Sequence, residues 1–458
     1  MRRSALLVIG IISLNITLSA FAADQQQSDI EQLRAELNAL RSAYETSIQA
    51  LEQRVVAAEE QALQTTHAIE ANQPPSPLLP QAPIQSRNSV SSLNAFNPAI
   101  GVIFQGQAWD RGMHRGAQYL PGFPLGGEAG QISRGFTLGE TEIDISANVD
   151  DKFMAWLTLP VVLEDGEARV ELEEAWIETL ALSGGLSARF GRMFSGIGYL
   201  NSKHAHSWDF LDQPLSYQVF LGDQYLDDGV QLRWLVPTDL FLELGAEILR
   251  GNRFPAAGAQ NAGFGTRTFF AHTGGDAGIS NSWLAGLSYL RTSSKARESG
   301  DEDELVLFDG DTEVFIAEFV WKWAPLGNWK QKNFKLQGEY FWRNEVGDYR
   351  LSETQLSAYD AKQNGWYVQA IFQPFPQWRV GSRYDKLSAD NPGLAFTGTP
   401  LEPLGYSPRR TSFMLDWSNS EFSRLRFQYS HDSGGLNTNN QWGVQYTFSI
   451  GAHGAHEY

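Results

Sequence analysis

QWGVQYTFSI, from Gln441 to Ile450, is the stretch whose reading decides the fold. Trp442, Val444, Tyr446, Phe448 and Ile450 fall at every second position, so an extended chain puts all five on one face and Gln445, Thr447 and Ser449 on the other. A soluble antiparallel sheet shows the same alternation. Here, though, the apolar set is rich in aromatics and the pattern recurs back to Asn97, behind a secretion signal. That combination predicts an all-β transmembrane barrel, whose strands show lipid one face and the lumen the other.

Working back from this strand, period-two segments can be counted from Ala99–Trp109 to Asn439–Ile450, and they number sixteen. The eighth, Thr266–His272, is the least regular, and without it the count would be odd. About 16 antiparallel strands return both chain ends to one side and leave an aqueous channel open. Asp150–Asp151, Ser183–Gly185, Pro237–Asp239, Phe375–Gln377 and Asn419–Glu421 read as tight turns. Between them lie long connections rich in Gly, Asp and Asn: Asp110–Arg134, Ser195–Asp228, Gly251–Gly265, Ser293–Asp311, Glu345–Asn364 and Ser388–Pro408. Alternating short and long connections fits a barrel and is not expected of a soluble sandwich.

Upstream, residues 1–22 carry Arg2 and Arg3, an apolar run and the small-x-small pattern Ala20-Phe21-Ala22, which predicts a cleaved signal peptide. Within 23–71, the segment from Ser28 to Ala71 lacks Gly and Pro, and Leu33, Leu37, Leu40, Tyr44, Ser47 and Leu51 follow a heptad seam. An α-helical coiled coil is expected there, with a single amphipathic helix as the alternative. So narrow a seam implies a homo-oligomer, and a homotrimer suits a porin. A Pro- and Ser-rich linker, 72–96, separates this helix from the barrel, 97–458, and the helix is expected in the periplasm.

Composition narrows the functional classes. The chain has 458 residues and no cysteine, which removes disulfides, thiolate metal sites and cysteine nucleophiles. Its formal charge of −18 becomes −20 once Arg2 and Arg3 leave with the signal (−18 − 2), so no nucleic-acid partner is expected. No nucleophile elbow, phosphate-binding Gly loop or HExxH helix occurs in a suitable context, and no enzyme activity is expected.

Charges of both signs alternate with the apolar positions and so are expected to line the bore: Glu171, Glu173, Arg189, Arg233, Glu243, Glu247, Arg379, Arg383, Asp385, Arg424 and Arg426. Oppositely charged neighbours can brace a hydrated wall, and whichever sign stays uncompensated at the narrowest point sets ion preference. The third outer connection, Ser195–Asp228, is the longest and is expected to fold inward. Its Asp209, Asp212, Asp223, Asp227 and Asp228 would form an acidic constriction facing Arg189 and Arg192, with a mild cation preference. His204 and His206, with Asp209 beyond them, and the terminal His453 and His456 have spacings that zinc accepts, although each set falls short of a ligand shell. Solvated loop histidines and no cofactor are the simpler reading.

VELEEAWIETL (170–180), LSARFGRMFSGIGYLN (186–201) and SPRRTSFMLDWSNSEFSRLRFQYSHD (407–432), within the plan of signal, coiled coil, tether and barrel, resemble the phosphate-selective porin O and P type family. The resemblance implies a trimer in the Gram-negative outer membrane, among lipid and lipopolysaccharide, passing small anions by passive diffusion. This chain departs from it by interspersing its bore arginines with acids. The expected function is a water-filled channel for small hydrophilic solutes or ions. A zinc-linked uptake channel and a cell-surface receptor or adhesin barrel are the alternatives.

Overall fold

The computed structural model describes residues 98–451, apart from 112–119, 124, 127–128, 130–133, 140, 165–166, 257–263, 300–305 and 353–354. The expected signal peptide, coiled coil and linker, and His453 and His456, lie outside the described residues.

Eighteen segments form one antiparallel sheet. The first half runs β1 (Ala99–Arg111), β2 (Gly135–Leu138), β3 (Thr141–Asn148), β4 (Phe153–Glu164), β5 (Glu167–Val170), β6 (Glu174–Thr179), β7 (Leu186–Phe194), β8 (Leu226–Leu235) and β9 (Phe241–Leu249). The second runs β10 (Thr266–Asp276), β11 (Asn281–Ser299), β12 (Val306–Trp323), β13 (Asn333–Ser352), β14 (Gln355–Phe375), β15 (Trp378–Ala389), β16 (Arg409–Ser420), β17 (Ser423–Ser433) and β18 (Asn439–Gly451). β2 and β3 both pair with β1, and β5 and β6 both pair with β4, so each couple is one interrupted stave and the eighteen segments make sixteen staves. β18 closes the cylinder on β1, with Phe104 opposite Phe448 and Gln105 opposite Thr447. Closure joins the last stave to the first, as spanning hydrocarbon requires. The eighth stave, β10, pairs on both sides and extends to Asp276.

The alternation in the last strand is realised as two environments. Trp442, Val444, Tyr446, Phe448 and Ile450 are 39–51% exposed on the outer wall, whereas Gln441 and Gln445 are each 3% exposed inside. Outer-wall aromatics gather in two bands. One holds Tyr289 against Phe315, Tyr340 against Trp342, Trp366 against Tyr384 and Tyr429 against Trp442. The other, near the short turns, pairs Trp283 with Trp321 and Trp378 with Trp417 in register. Such girdles mark the two interfaces of a membrane barrel.

Two of the expected outer connections are strand instead. β11–β12 and β13–β14 continue through most of 293–311 and 345–364. Asp309, Asp311, Asp348 and Asp360, which read as loop residues, face outward along this extension. Inside it, Val306, Phe308, Tyr349, Tyr359 and Ala361 pack with Phe396 and Leu401 in a small core. Arg297 donates from Nη1 to Glu345 at 2.6 Å and from Nη2 to the Tyr349 hydroxyl at 2.9 Å within this extension.

An outward position at mid-strand faces hydrocarbon, where arginine costs about 2–4 kcal/mol. Val444→Arg is therefore expected to lower the unfolding free energy in lipid vesicles by about that amount, measured by urea titration. Unchanged stability would contradict the assigned outer face.

Candidate functional site

The third loop, 195–225, is folded inside the barrel. Gly198, at φ +68°, lets it pass the wall where a Cβ would lie 2.5 Å from the Tyr217 hydroxyl oxygen and 2.8 Å from a Glu339 carboxylate oxygen. A short helix, α1 (Leu215–Leu221), follows, with every residue buried and Gly222 ending it in the left-handed conformation. Its apolar side chains have partners because the bore is not uniformly polar. Phe270, Leu290, Val314, Ile316, Phe341, Tyr367 and Leu387 face inward and form one core with Leu215, Tyr217, Val219 and Phe220. Polar anchors fix both helix ends: Leu215 N donates to Asp385 Oδ1 at 3.0 Å, and Arg343 Nη1 donates to Val219 O at 2.9 Å. A carboxylate at the first turn and a cation at the last both suit the helix dipole. Tyr217 and Tyr367 donate their hydroxyls to Glu339 at 2.9 and 2.5 Å.

The loop's acids meet the bore's cations on the side opposite to the one expected. Asp209 pairs with Arg379 and, at 2.5 Å, with Lys335. Asp212 lies between Arg383 at 2.9 Å and Arg410 at 2.8 Å. Burial alone would push the Asp212 carboxyl up, but these two guanidinium groups outweigh it and hold the group below the usual carboxylate range. Arg426 grips Asp416 through two hydrogen bonds, 2.7 and 3.0 Å, and also donates to Trp208 O at 2.6 Å. Arg424 donates to His206 O at 2.6 Å. β13, β15, β16 and β17 thus present a cationic ladder, and the loop is the anionic strip that covers it.

Arg189 and Arg192 do not face those acids. Three residues apart on β7, they project to opposite faces: Arg189 inward, and Arg192 outward to Asp228 at 2.7 Å. Asp227 and Asp228 belong to β8 rather than to the loop. Asp227 is buried, accepts from the Tyr225 hydroxyl at 3.1 Å and from Gly251 N at 2.6 Å, and Asp228 is on the outer side. Asp223 follows α1 in a left-handed conformation, φ 80°.

Across the bore, half-buried charges form a second chain. Glu178 pairs with Arg189 at 2.7 Å and Arg233 at 2.5 Å, Glu243 with His272 at 3.7 Å, and His272 with Glu318 at 3.3 Å. The Arg189 guanidinium also sits 3.8 Å from the Trp176 ring centroid. Glu247 is buried, accepting from Ser195, Thr268, Gly196 N at 2.9 Å and Gln231 at 2.6 Å, and so ties the loop's start to the wall. Glu171 is exposed in the interruption between β5 and β6. Glu173, Glu174 and Glu142 surround His204, and His206 lies against Glu142 at 3.0 Å.

Several of these partners are not among the residues expected from the sequence: Glu142, Glu174, Lys335, Glu339, Arg410 and Asp416. A signal was available for some, since Glu142 and Asp144 alternate with Ile143 and Ile145, and Lys335, Gln337 and Glu339 alternate with Leu336 and Gly338. Glu174 had none, because adjacent residues of a regular strand point to opposite faces. The interruption of the stave brings Glu173 and Glu174 to the same imidazole.

Removing one partner of a buried ion pair leaves a buried charge uncompensated and costs about 3–5 kcal/mol. Asp212→Ala is expected to lower stability by about that much in denaturant unfolding, because three hydrogen bonds to its carboxylate are lost and Asp385 and Asp432 are then left to offset Arg383 and Arg410. A loss under about 1 kcal/mol, the size of an exposed pair, would contradict the lock.

No known family profile matches the chain. Among solved structures, OprB of Pseudomonas putida is similar at a TM-score of 0.50 and 11% identity, over 77% of this chain and 94% of that one, and shares the barrel fold. An anion-selective porin from Comamonas acidovorans gives 0.49 and 9% over 77% and 99%, and the channel DcaP of Acinetobacter baumannii 0.46 and 11% over 77% and 97%. In sequence, an uncharacterized protein of Aquifex aeolicus is 31% identical over 361 residues, spanning 73% of this chain and 72% of that protein. Identity sustained over that span means that the chain belongs to the same family as the Aquifex aeolicus protein.

Proposed function

We propose that the protein is an outer-membrane channel of a Gram-negative envelope, through which small hydrophilic solutes or ions diffuse passively. The observation that carries this reading is a closed sixteen-stave wall with a lipid-facing exterior and a charge-lined interior narrowed by an inward-folded loop. A barrel of this size leaves room for an aqueous passage, and charged side chains along it govern permeation. The short turns and the ends of the described barrel, where Gly101 pairs with Gly451, lie at one rim, the periplasmic one in this class, and the extended hairpins rise on the outer side among lipopolysaccharide. The heptad segment supports a homo-oligomer assembled through a periplasmic coiled coil, and a homotrimer is the state that suits a porin.

The resemblance to the phosphate-selective porins implies a bore lined with arginine and lysine. In this chain Arg379, Arg383, Arg410 and Arg426 are each matched by a carboxylate at 3.6 Å or closer. That neutralisation favours a general diffusion channel over an anion-capturing ladder. The half-buried chain from Glu178 to His272 then carries the field that a passing ion meets.

Purified protein in planar bilayers is expected to produce discrete conductance steps. Absence of steps from protein shown to be inserted would refute a channel and favour a receptor or adhesin barrel. Glu178→Gln removes the acid shared by Arg189 and Arg233, so its reversal potential in a salt gradient is expected to move toward anions relative to the wild type. An unmoved potential would take these residues off the conduction path.

A further inference from the structure

We propose that the root of the third loop is a binding site for one divalent transition-metal cation of the zinc class, with His204, Glu142 and Glu173 as its ligands. Three separate elements converge here: Glu142 from β3, Glu173 from the interruption after β5, and His204 from the loop. His204 Nδ1 lies 3.1 Å from Glu173 Oε2 and 3.5 Å from Glu142 Oε2, and the three ligand atoms all lie within 4.8 Å of one another. With metal–ligand bonds of about 2.0–2.1 Å, neighbouring donors of a tetrahedron are about 3.3 Å apart, so the two imidazole–carboxylate separations fit tetrahedral edges, and three ligands leave a fourth position for water or a solute group.

The surrounding contacts have the order expected behind a metal ligand. The other ring nitrogen of His204, Nε2, lies 3.2 Å from Glu174 Oε2. Glu174 is itself oriented by the Trp176 indole N–H at 3.1 Å and the Phe194 N–H at 3.2 Å. A carboxylate on the far nitrogen of an imidazole fixes the ring and strengthens it as a ligand. His206 Nδ1, 3.0 Å from Glu142 Oε1, orients the second ligand in the same way. Both nitrogens of His204 thus face carboxylate oxygens, with Nδ1 toward the two proposed ligands and Nε2 toward Glu174. One nitrogen and two carboxylates suit a borderline cation, whereas magnesium and calcium select oxygen shells of six or more. His204 and Glu173 keep 17% and 12% side-chain exposure, so the site can be reached from the hydrated interior. A cation there would staple the loop's root to two staves. The inference rests on the loop lying inside the barrel, not on what the barrel conducts.

The test is isothermal titration calorimetry of the full-length protein in detergent, stripped with EDTA and titrated with zinc chloride. One saturable site per chain is expected, undiminished by millimolar magnesium and retained when His453 and His456 are both changed to alanine. His204→Ala should abolish it. Glu174→Gln, which touches no metal and leaves all three ligands in place, should weaken it about 10–100-fold. No saturable binding by the wild type, or equal binding by a folded His204→Ala protein, would overturn the site. Single-channel recording of the untreated protein separates the two claims: absence of conductance from inserted protein would count against the channel and leave the calorimetric result standing.

Discussion

The constraint on which everything else depends is the hydrocarbon solvent around the wall. No backbone N–H or C=O can be left without a partner there, so the strands must close on themselves, and β18 must find β1. Closure in turn makes every strand two-faced. Alternation at the level of single residues therefore builds an apolar exterior and a separate interior from the same chain. The aromatic bands on the outer wall lie where the hydrocarbon gives way to headgroups, as amphipathic rings prefer.

The interior obeys a different rule. A buried charge is tolerated when it is matched, and the third loop supplies the match. Asp209 and Asp212 offset Lys335, Arg379, Arg383 and Arg410, while Asp385 and Arg343 hold the two ends of α1. Apolar contacts do the rest, with Phe220 stacked on Phe341 at 5.8 Å and edge-on to Phe123 at 6.0 Å. The loop is thus a packed part of the barrel, and on the opposite arc Glu178, Arg189, Arg233, Glu243 and His272 stand half-buried.

How much of this was legible in the sequence follows from range. Period-two alternation is local, and it located all sixteen staves, the irregular eighth included. Where it erred, composition misled: the Asp- and Gly-rich ends of β11 to β14 look like loop, yet their inward Phe308, Tyr349 and Tyr359 continue the alternation. The loop's partners were beyond reach because they are set by closure of the cylinder, with Asp212 meeting Arg383 and Arg410 across 171 and 198 residues of chain. Parity alone could have placed Arg189 and Arg192 on opposite faces. The His204 cluster needed a broken strand to assemble, and strand breaks leave little trace in a single sequence.

The central claim is that successive residues of each stave meet lipid and interior in turn around a closed wall. Because the chain has no cysteine, single cysteines can be introduced one at a time from Trp442 to Ser449 and spin-labelled in liposomes. Collision with dissolved oxygen, which concentrates in lipid, is predicted to be high at 442, 444, 446 and 448 and low at 443, 445, 447 and 449. A profile without that two-residue period, or with all eight positions open to a water-soluble quencher, would contradict the account.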